Sequence, residues 1–336
     1  MSTVIASSTL ANGLLNNFND TYSVIRNRQA DGRLSQVMDL SGVNATNRHH
    51  EFAYFTSAPH MGYWRRGESI PRDAMDSVDF QAVVYEWGLQ IPWLKWDRDD
   101  DQTGSLMDVA KGGGQSAGLL PERYFFDLLV GTPTTLPAVP TAPDGAAFFA
   151  TTAGGVARFG ASSGNLLTGT GVASTATILA DYYSGIQQFM LFQDTKGQPM
   201  LSPEMVASGV LIIHSVADLD VFEAAFLQKR QGVLGPDNTT DAVTSVQVSN
   251  VVQDASRNVQ LWASPRIATG DWYMFLLNPP KKPTFLLNRE GLQEQMSLMS
   301  DNNSDRTRNT AEESVQWYLR EGAGIALPYG ALKINN

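Results

Sequence analysis

The sequence predicts an α+β fold, and three observations support that prediction. Aromatic and aliphatic residues alternate from Phe80 to Trp93, which is the pattern of a strand with one buried face. An amphipathic stretch then runs to Leu129 and stops at Gly131, as a helix does. Beyond residue 177, helical stretches and short apolar strands follow one another, and the later strands are separated mainly by turns.

The composition limits the class of protein. The chain has 336 residues, of which 43% are hydrophobic, so it can bury a sizeable core in one large domain or two modest ones. Its formal net charge of −10 argues against tight nucleic-acid binding, which requires clustered Lys and Arg. The absence of cysteine excludes disulfides and thiolate metal sites and fits a reducing cytoplasm. We expect no signal peptide, because residues 1–8 carry no basic region followed by an apolar core. We expect no membrane span, because no apolar run approaches ~20 residues.

The first predicted element is an amphipathic helix that ends near Ala30, before Gly32. Its apolar stripe consists of Leu10, Leu14, Phe18 and Tyr22. Two interpretations fit this helix: an N-terminal arm that docks on another molecule, or a helix that packs on its own domain.

A long hairpin is predicted next. One strand contains Phe52 and Phe55, the other begins at Val78, and the segment between them is rich in Gly, Pro and Arg. Aromatic residues and arginine dominate the energetics of protein–protein interfaces. We therefore expect the tip to contact a partner subunit, whereas the alternative is that Trp64 folds back onto its own domain. The candidate interface residues are Tyr63, Trp64, Arg65, Arg66 and Arg72.

An acidic corner, Asp97 to Asp101, precedes the long predicted helix. Asp97, Asp99, Asp101 and Asp108 fall at positions 1, 3, 5 and 12 of a calcium-binding loop. However, Gln102 replaces the required glycine and Asp108 replaces the bidentate Glu. The favoured interpretation is that these carboxylates complement the dipole and the free N–H groups at the start of the helix. We therefore predict neither a metal nor a cofactor.

Glycines and a proline interrupt the long helix. Gly112, Gly113 and Gly114 weaken it, and Pro121 can kink or restart it. We interpret these residues as positions at which the helix bends.

The remainder of the chain begins with an irregular segment, residues 132–174, which Phe148, Phe149 and Phe159 are expected to pin to the body. The expected order then is a helix at 177–192, a turn at 194–199, a strand at 210–213, a helix at 218–230, a loop at 231–244, and strands at 245–248, 259–263, 272–277 and about 314–319. Arg306, Arg308, Arg320 and Glu321 are expected to be solvated or to lie at subunit contacts.

Residues that would indicate an enzyme are sparse. The histidines are His49, His50, His60 and His214. His49 and His50 are adjacent, so in a strand they face opposite ways and do not readily bind one metal ion together. His214 ends an apolar strand and is expected to be a satisfied core residue. The sequence contains no nucleophile elbow and no dinucleotide fingerprint, so we predict that the protein is not an enzyme.

Five blocks of residues occur in a characteristic order: Tyr54 to Gly104 with Pro59, Met61 and Trp64; Asp144-Gly145 with Phe148-Phe149, Asn165 and Gly169; the helix from Thr177 into Asp194, Gly197 and Pro199; Trp272-Tyr273 with Lys282-Pro283; and Asp301 to Asp305 with Gly322 and Gly324. In these blocks the chain resembles the Mu-like phage major head subunits, which have the Hong Kong 97-type capsid fold. It departs from them at Ala150 to Gly154, where the family has Asp-Thr-Asp-His-Pro. Residues 56–75 contain no Lys, so we expect no lysine–asparagine cross-link from the hairpin.

The resemblance implies an architecture. Its expected regions are an N-terminal arm (1–47), an extended hairpin over a neighbouring subunit (48–92), a peripheral domain with a spine helix (93–173), an axial domain (174–284) and a return to the peripheral domain (285–336).

The resemblance also implies a function. The chain would be a major capsid protein that assembles as hexamers and pentamers into the icosahedral head of a tailed double-stranded DNA phage. It would be assembled in the host cytoplasm, reside in the virion, and enclose DNA without sequence-specific binding. Scaffolding, portal and decoration proteins would be its other partners. The alternatives are an encapsulin-like nanocompartment shell protein and a metal-dependent hydrolase that uses the acidic corner and His60.

Overall fold

The computed structural model describes residues 7–55, 77–94, 104–161, 163–172, 174–227, 230–234, 245–249, 258–298 and 312–336. The helices are α1 (Ser7–Asp31), α2 (Leu34–Val37), α3 (Ser105–Gly118), α4 (Leu120–Val130), α5 (Thr175–Met190), α6 (Pro203–Ala207) and α7 (Leu219–Phe226). None of the helices in these described ranges is both long and apolar enough to cross a membrane.

The strands follow the predicted order for most of the chain. They are β1 (Met38–Asn44), β2 (His49–Phe55), β3 (Ser77–Val83), β4 (Tyr85–Leu94), β5 (Thr152–Ala153), β6 (Val156–Ala157), β7 (Leu166–Thr168), β8 (Val210–Ser215), β9 (Arg230–Leu234), β10 (Ser245–Ser249), β11 (Val259–Ser264), β12 (Trp272–Leu276), β13 (Thr284–Ser297), β14 (Glu312–Ile325) and β15 (Ala331–Asn335).

The chain forms two compact units. Unit 1 contains Met1–Glu51, Gln81–Val139 and Phe285–Gly324, and unit 2 contains Phe52–Phe80, Pro140–Thr284 and Ile325–Asn336. The predicted five-region division stays a prediction. In the structure, residues 140–173 and 325–336 group with unit 2. The physical reason is that β7 and β15 belong to the main sheet of unit 2.

Unit 1 is built on a sheet with strand order β1-β13-β14-β4, in which β4 and β14 are antiparallel. Helix α1 lies on this sheet, and the rings of Phe18 and Trp317 stack with their centroids 4.2 Å apart. The shared core consists of Leu10, Ala11, Leu14, Leu15, Phe18, Ile91, Trp93, Ala110, Leu298, Val315 and Trp317. Of the two interpretations of α1, the structure therefore supports a helix packed on its own unit.

Small residues on α3 allow α1 to approach closely. Ala110, Gly114 and Gly118 recur every four residues and are buried. A Cβ atom on Gly114 would lie 2.4 Å from the carbonyl oxygen of Phe18, and one on Gly118 would lie 2.8 Å from the Cβ atom of Ile25. Gly114 therefore provides room for the neighbouring helix, and bending of α3 at its glycines stays a prediction. A Cβ atom on Gly112 would meet nothing within 4 Å.

The predicted long helix is two helices, α3 and α4, that meet at Leu119. Leu119 has φ −81° and ψ −2°, and Pro121 lies in the first turn of α4. Proline is tolerated there because the first N–H groups of a helix have no partner within the helix. Of the two roles considered for Pro121, the structure shows the restart.

Unit 2 is built on a mixed sheet with strand order β11-β8-β12-β15-β7. Strands β8 and β11 are parallel, and β12 is antiparallel to both β8 and β15. Every residue of β8 is buried, which explains why it reads as a continuous apolar run. The core between the sheet and its helices includes Tyr182, Phe189, Phe222, Phe226 and Trp272.

Two local predictions in unit 2 are wrong. The predicted helix 218–230 ends at Phe226, because the chain turns at Leu227. The first part of the predicted loop 231–244 is strand β9, which pairs with β10. Residues of β9 such as Gln231 and Gly232 carry no strand-like apolar alternation, so this strand forms through its backbone partner.

Candidate functional site

Of the predicted hairpin, the structure describes the two paired strands that form its stem. Strands β2 and β3 pair, and the rings of Phe52 and Phe80 stack with centroids 5.1 Å apart. The candidate interface residues Tyr63, Trp64, Arg65, Arg66 and Arg72 lie outside the described residues, as does His60. Their contact with a partner subunit stays a prediction.

The acidic corner Asp97 to Asp101 also lies outside the described residues. Within the part of the chain that is described, no three His, Asp or Glu side chains come together where a metal ion could bind.

Unit 2 contains a buried polar centre formed by Asp144, Arg158 and Asn165, which we call the Arg158 hub. Arg158 Nε donates to Asp144 Oδ2 at 2.7 Å, and Nη2 donates to Oδ1 at 3.0 Å. Its Nη1 donates to Asn165 Oδ1 at 2.9 Å and to two backbone carbonyl oxygens. Burial lowers the pKa of Arg158, and the hydrogen bonds and charge of Asp144 oppose that shift. The bidentate geometry is the strong arrangement of an arginine–carboxylate pair.

Asn165 joins the hub to the main sheet. Its Oδ1 accepts from the backbone N–H of Ala150 at 3.0 Å, and its Nδ2 donates to the carbonyl oxygens of Phe148 at 2.9 Å and Ala331 at 3.3 Å. Ala331 belongs to β15, so one buried amide ties the irregular segment 140–168 to that strand. A fully satisfied buried amide of this kind specifies a single arrangement of the backbone.

Arg158 was not found by sequence reasoning, although a signal was present. Asp144 and Arg158 are the only charged residues between positions 132 and 174. Two opposite charges in an otherwise uncharged, Gly-rich segment indicate a pair. Asp144 and Asn165, by contrast, belong to the second block of the family resemblance.

Phe159, next to the hub, adopts the left-handed backbone conformation at φ 54° and ψ 30°. Its carbonyl oxygen accepts from the N–H of Gln193 at 2.8 Å, and its ring lies 5.1 Å from that of Phe192. The guanidinium of Arg158 lies 5.1 Å from the centroid of the same ring. These contacts offset the cost of about 1–3 kcal/mol for a strained backbone. Because Phe148 is also buried, against Phe275, the prediction that aromatic residues pin this segment is confirmed.

Unit 1 contains a second polar centre, formed by Tyr22, Arg26, Tyr124 and Glu321, which we call the Arg26 cluster. Arg26 Nη2 donates to Glu321 Oε1, and Arg26 Nε donates to the hydroxyl oxygen of Tyr22 at 3.2 Å. Burial disfavours the charged form of Arg26, but Glu321 and Tyr22 together raise its pKa above the usual value. Burial, helped by the charge of Glu321, also raises the pKa of Tyr124.

Glu321 is 3% exposed, so the prediction that it is solvated or lies at a subunit contact is wrong for the single subunit. The reason is that Arg26 of α1 supplies its counter-charge from 295 positions earlier in the chain. Arg320, its neighbour, lies on the other side of β14 and forms ion pairs with Glu86 and Glu290.

His214 is fully buried, as predicted for a core residue. Its ring stacks on Phe222 at 4.4 Å, and Nδ1 lies 2.8 Å from the carbonyl oxygen of Ser215. In the part of the chain that the structure describes, its Nε2 has no hydrogen-bond partner, so the residue is only partly satisfied. Burial lowers the pKa of His214, and the nearby charges of Asp218 and Glu223 act in the opposite direction.

Solved structures of phage proteins share this architecture. The capsid of Cyanophage P-SCSP1u matches with a TM-score of 0.53 at 9% identity, over 90% of this chain and 87% of that chain. The mature capsid of bacteriophage PhiM1 matches with a TM-score of 0.52 at 11% identity, over 89% and 85%. A protein of Mycobacterium phage Patience matches with a TM-score of 0.51 at 10% identity, over 100% and 89%.

These likenesses establish that the chain has the Hong Kong 97-type capsid fold, as predicted. The identities are too low to carry more than the fold. No protein-family model matches the sequence, and none of the curated proteins is similar to it.

Proposed function

We propose that this chain is the major capsid protein of a tailed double-stranded DNA phage and that copies of it assemble into the icosahedral head. The observation that carries the proposal is the agreement in fold with two phage capsids over 89–90% of the chain. A chain with this function is a structural protein of the virion and needs no catalytic centre. The two polar centres are consistent with that role, because their hydrogen bonds hold parts of one unit together.

The proposed partners are other copies of the chain, arranged as hexamers and pentamers, and the enclosed DNA. The net charge of −10 supports a container that does not bind its packed polyanion tightly. Scaffolding, portal and decoration proteins are further proposed partners, on the strength of the family resemblance alone.

We also propose that the chain is a divergent member of the Mu-like head subunits. The second block of the resemblance gains support from the roles of its residues. Asp144 and Asn165 form the Arg158 hub, and Gly145 has φ 75°, a conformation that favours glycine. A Cβ atom on Gly169 would lie 1.8 Å from Asn336 Oδ1 and 2.8 Å from Ile334 Cγ2, so a side chain here would require these neighbours to move.

In the proposed shell, the hairpin 48–92 lies over a neighbouring subunit and its tip makes the contact through Tyr63, Trp64, Arg65, Arg66 and Arg72. The paired stem β2–β3 supports an extended hairpin. Unit 1 corresponds to the peripheral domain and unit 2 to the axial domain.

Negative-stain electron microscopy of the purified chain tests the proposal. We expect closed, icosahedral particles under at least one assembly condition. Small, featureless species under every condition tried would contradict it. Particles that form without DNA and that carry a protein cargo would instead favour an encapsulin-like shell.

A further inference from the structure

We propose that unit 1 binds a small amphipathic anion, a carboxylate with a short apolar tail, in a cavity between α1, α3, α4 and the sheet. The cavity has a volume of 290 Å³. Ligand pockets in proteins usually measure about 300–1,000 Å³, so this cavity suits a small ligand. The proposal is independent of shell formation.

The wall of the cavity is mostly apolar. Aromatic and aliphatic side chains from four elements surround it: Phe18, Trp87, Leu89, Leu120, Trp317 and Leu319. Gly113 and Ala117 of α3 also line it. Apolar walls of this kind bind a hydrocarbon or aromatic tail by removing it from water.

Among the described residues that line the cavity, Arg123 is the only charged one. It is partly exposed, and within the described part of the chain no side chain forms an ion pair or a hydrogen bond with its guanidinium. An unpaired guanidinium beside an apolar wall complements a carboxylate, which it can bind through two parallel hydrogen bonds. This charge complementarity selects an anion over a neutral or cationic ligand.

Other polar groups line the same cavity. Ser116 and Thr135 contribute hydroxyl groups that can donate to a carboxylate oxygen. A few polar groups in an otherwise apolar pocket are the usual means of fixing the orientation of a ligand.

A ligand in this cavity would touch α1 through Phe18, α3 through Ala117 and β14 through Trp317. It would therefore stabilise the docking of α1, because a molecule that binds only the folded state raises the stability of that state.

Octanoate is the probe that tests the proposal. One control is 1-octanol, which has the apolar tail but no carboxylate, and the other is acetate, which has the carboxylate but no long tail. Isothermal titration calorimetry on the purified full chain is expected to show saturable binding of one octanoate per chain. We expect 1-octanol to bind about tenfold more weakly, because it has no carboxylate to form charge-assisted hydrogen bonds with Arg123. Acetate is expected not to bind at the same concentrations. Quenching of tryptophan fluorescence by a brominated octanoate would report contact with Trp87 and Trp317.

Variants locate the site. Arg123→Gln is expected to weaken octanoate binding about tenfold and to leave 1-octanol binding unchanged. Arg28→Gln, which makes the same change at an exposed residue outside the cavity, is expected to change neither. Ala117→Leu should fill the cavity and abolish binding of both. Because that variant risks misfolding, Arg123→Gln decides the outcome. No saturable binding of octanoate, or equal affinity in Arg123→Gln and the natural chain, would overturn the proposal.

Discussion

Replacing Gly114 by Ala is expected to loosen α1 from α3, whereas the same replacement at Gly112 is expected to stabilise the chain. Both residues lie in one helical turn of α3, so both changes gain the same helix propensity, about 0.5–1 kcal/mol relative to Gly. They differ in what the new methyl group meets. At Gly112 there is open space, and at Gly114 the carbonyl oxygen of Phe18 lies 2.4 Å away.

The magnitude follows from that distance. Ordinary van der Waals contacts of a Cβ atom begin at 3.4 Å, so α1 must move away by about 1 Å or the helix must distort. The clash involves backbone, which cannot swing aside as the end of a flexible side chain can. Overpacking of this kind costs about 1–3 kcal/mol. Since propensity contributes equally to both variants, the difference in their free energies of unfolding measures the clash and is expected to be about 1–3 kcal/mol.

Hydrogen–deuterium exchange of α1 amides, residues 7–31, is the appropriate assay because it reports the local opening of one helix. Faster exchange is expected in Gly114→Ala and unchanged or slower exchange in Gly112→Ala. Urea unfolding of both variants gives the global difference. Equal exchange in the two variants would refute the close approach of α1 to α3.

The remaining predictions concern the other centres of the molecule. Asp144→Ala is expected to destabilise unit 2 by about 3–5 kcal/mol in urea unfolding, because it leaves the buried Arg158 charge unpaired. The control is Asp108→Ala, which removes an exposed ion pair with Lys111. This control should change the free energy of unfolding by no more than about 0.5 kcal/mol. A loss in Asp144→Ala as small as in the control would contradict the buried pair. Burial lowers the pKa of His214 in the folded chain. As the pH drops below about 6.5, the unfolded chain therefore takes up a proton at this residue more readily than the folded chain, and the free energy of unfolding falls. His214→Gln should reduce the stability lost between about pH 7 and pH 5, and an unchanged pH dependence would show that other groups cause it. Trp64→Ala and Arg65→Glu are expected to leave a folded subunit by circular dichroism but to impair particle formation, whereas Arg28→Gln should assemble normally; normal particles from both tip variants would remove the basis for the hairpin contact.

Periodic apolar patterns in the sequence predicted most helices and strands correctly. They gave no information about the Arg158 hub and the Arg26 cluster. Helix α1 and strands β4, β8 and β12 were predictable because each buries one face or its whole length in an apolar core. The burial of Glu321 was not predictable, because a charged residue is expected to be solvent-exposed unless a partner is known. Its partner, Arg26, is remote in the sequence. The contact of Gly114 with α1 was missed for a related reason: room for a neighbouring helix cannot be recognised without knowing which helix it is. Strand β9 was missed because its formation depends on pairing with β10 and not on its own apolar pattern.

The position of β15 has a consequence for the order of events during synthesis. This strand lies between β12 and β7, and its Ala331 carbonyl accepts from the Asn165 amide. The ribosome produces β15 after every other strand of that sheet. Until it emerges, β12 and β7 each lack a neighbour, and Asn165 lacks one of its acceptors. A nascent chain therefore cannot complete unit 2 from its earlier strands alone, and the same holds for unit 1, where β14 lies between β13 and β4. Pairings over such long sequence separations form slowly. Unit 1 thus reaches its final form only after β14 has emerged from the ribosome, and unit 2 only after β15 has emerged.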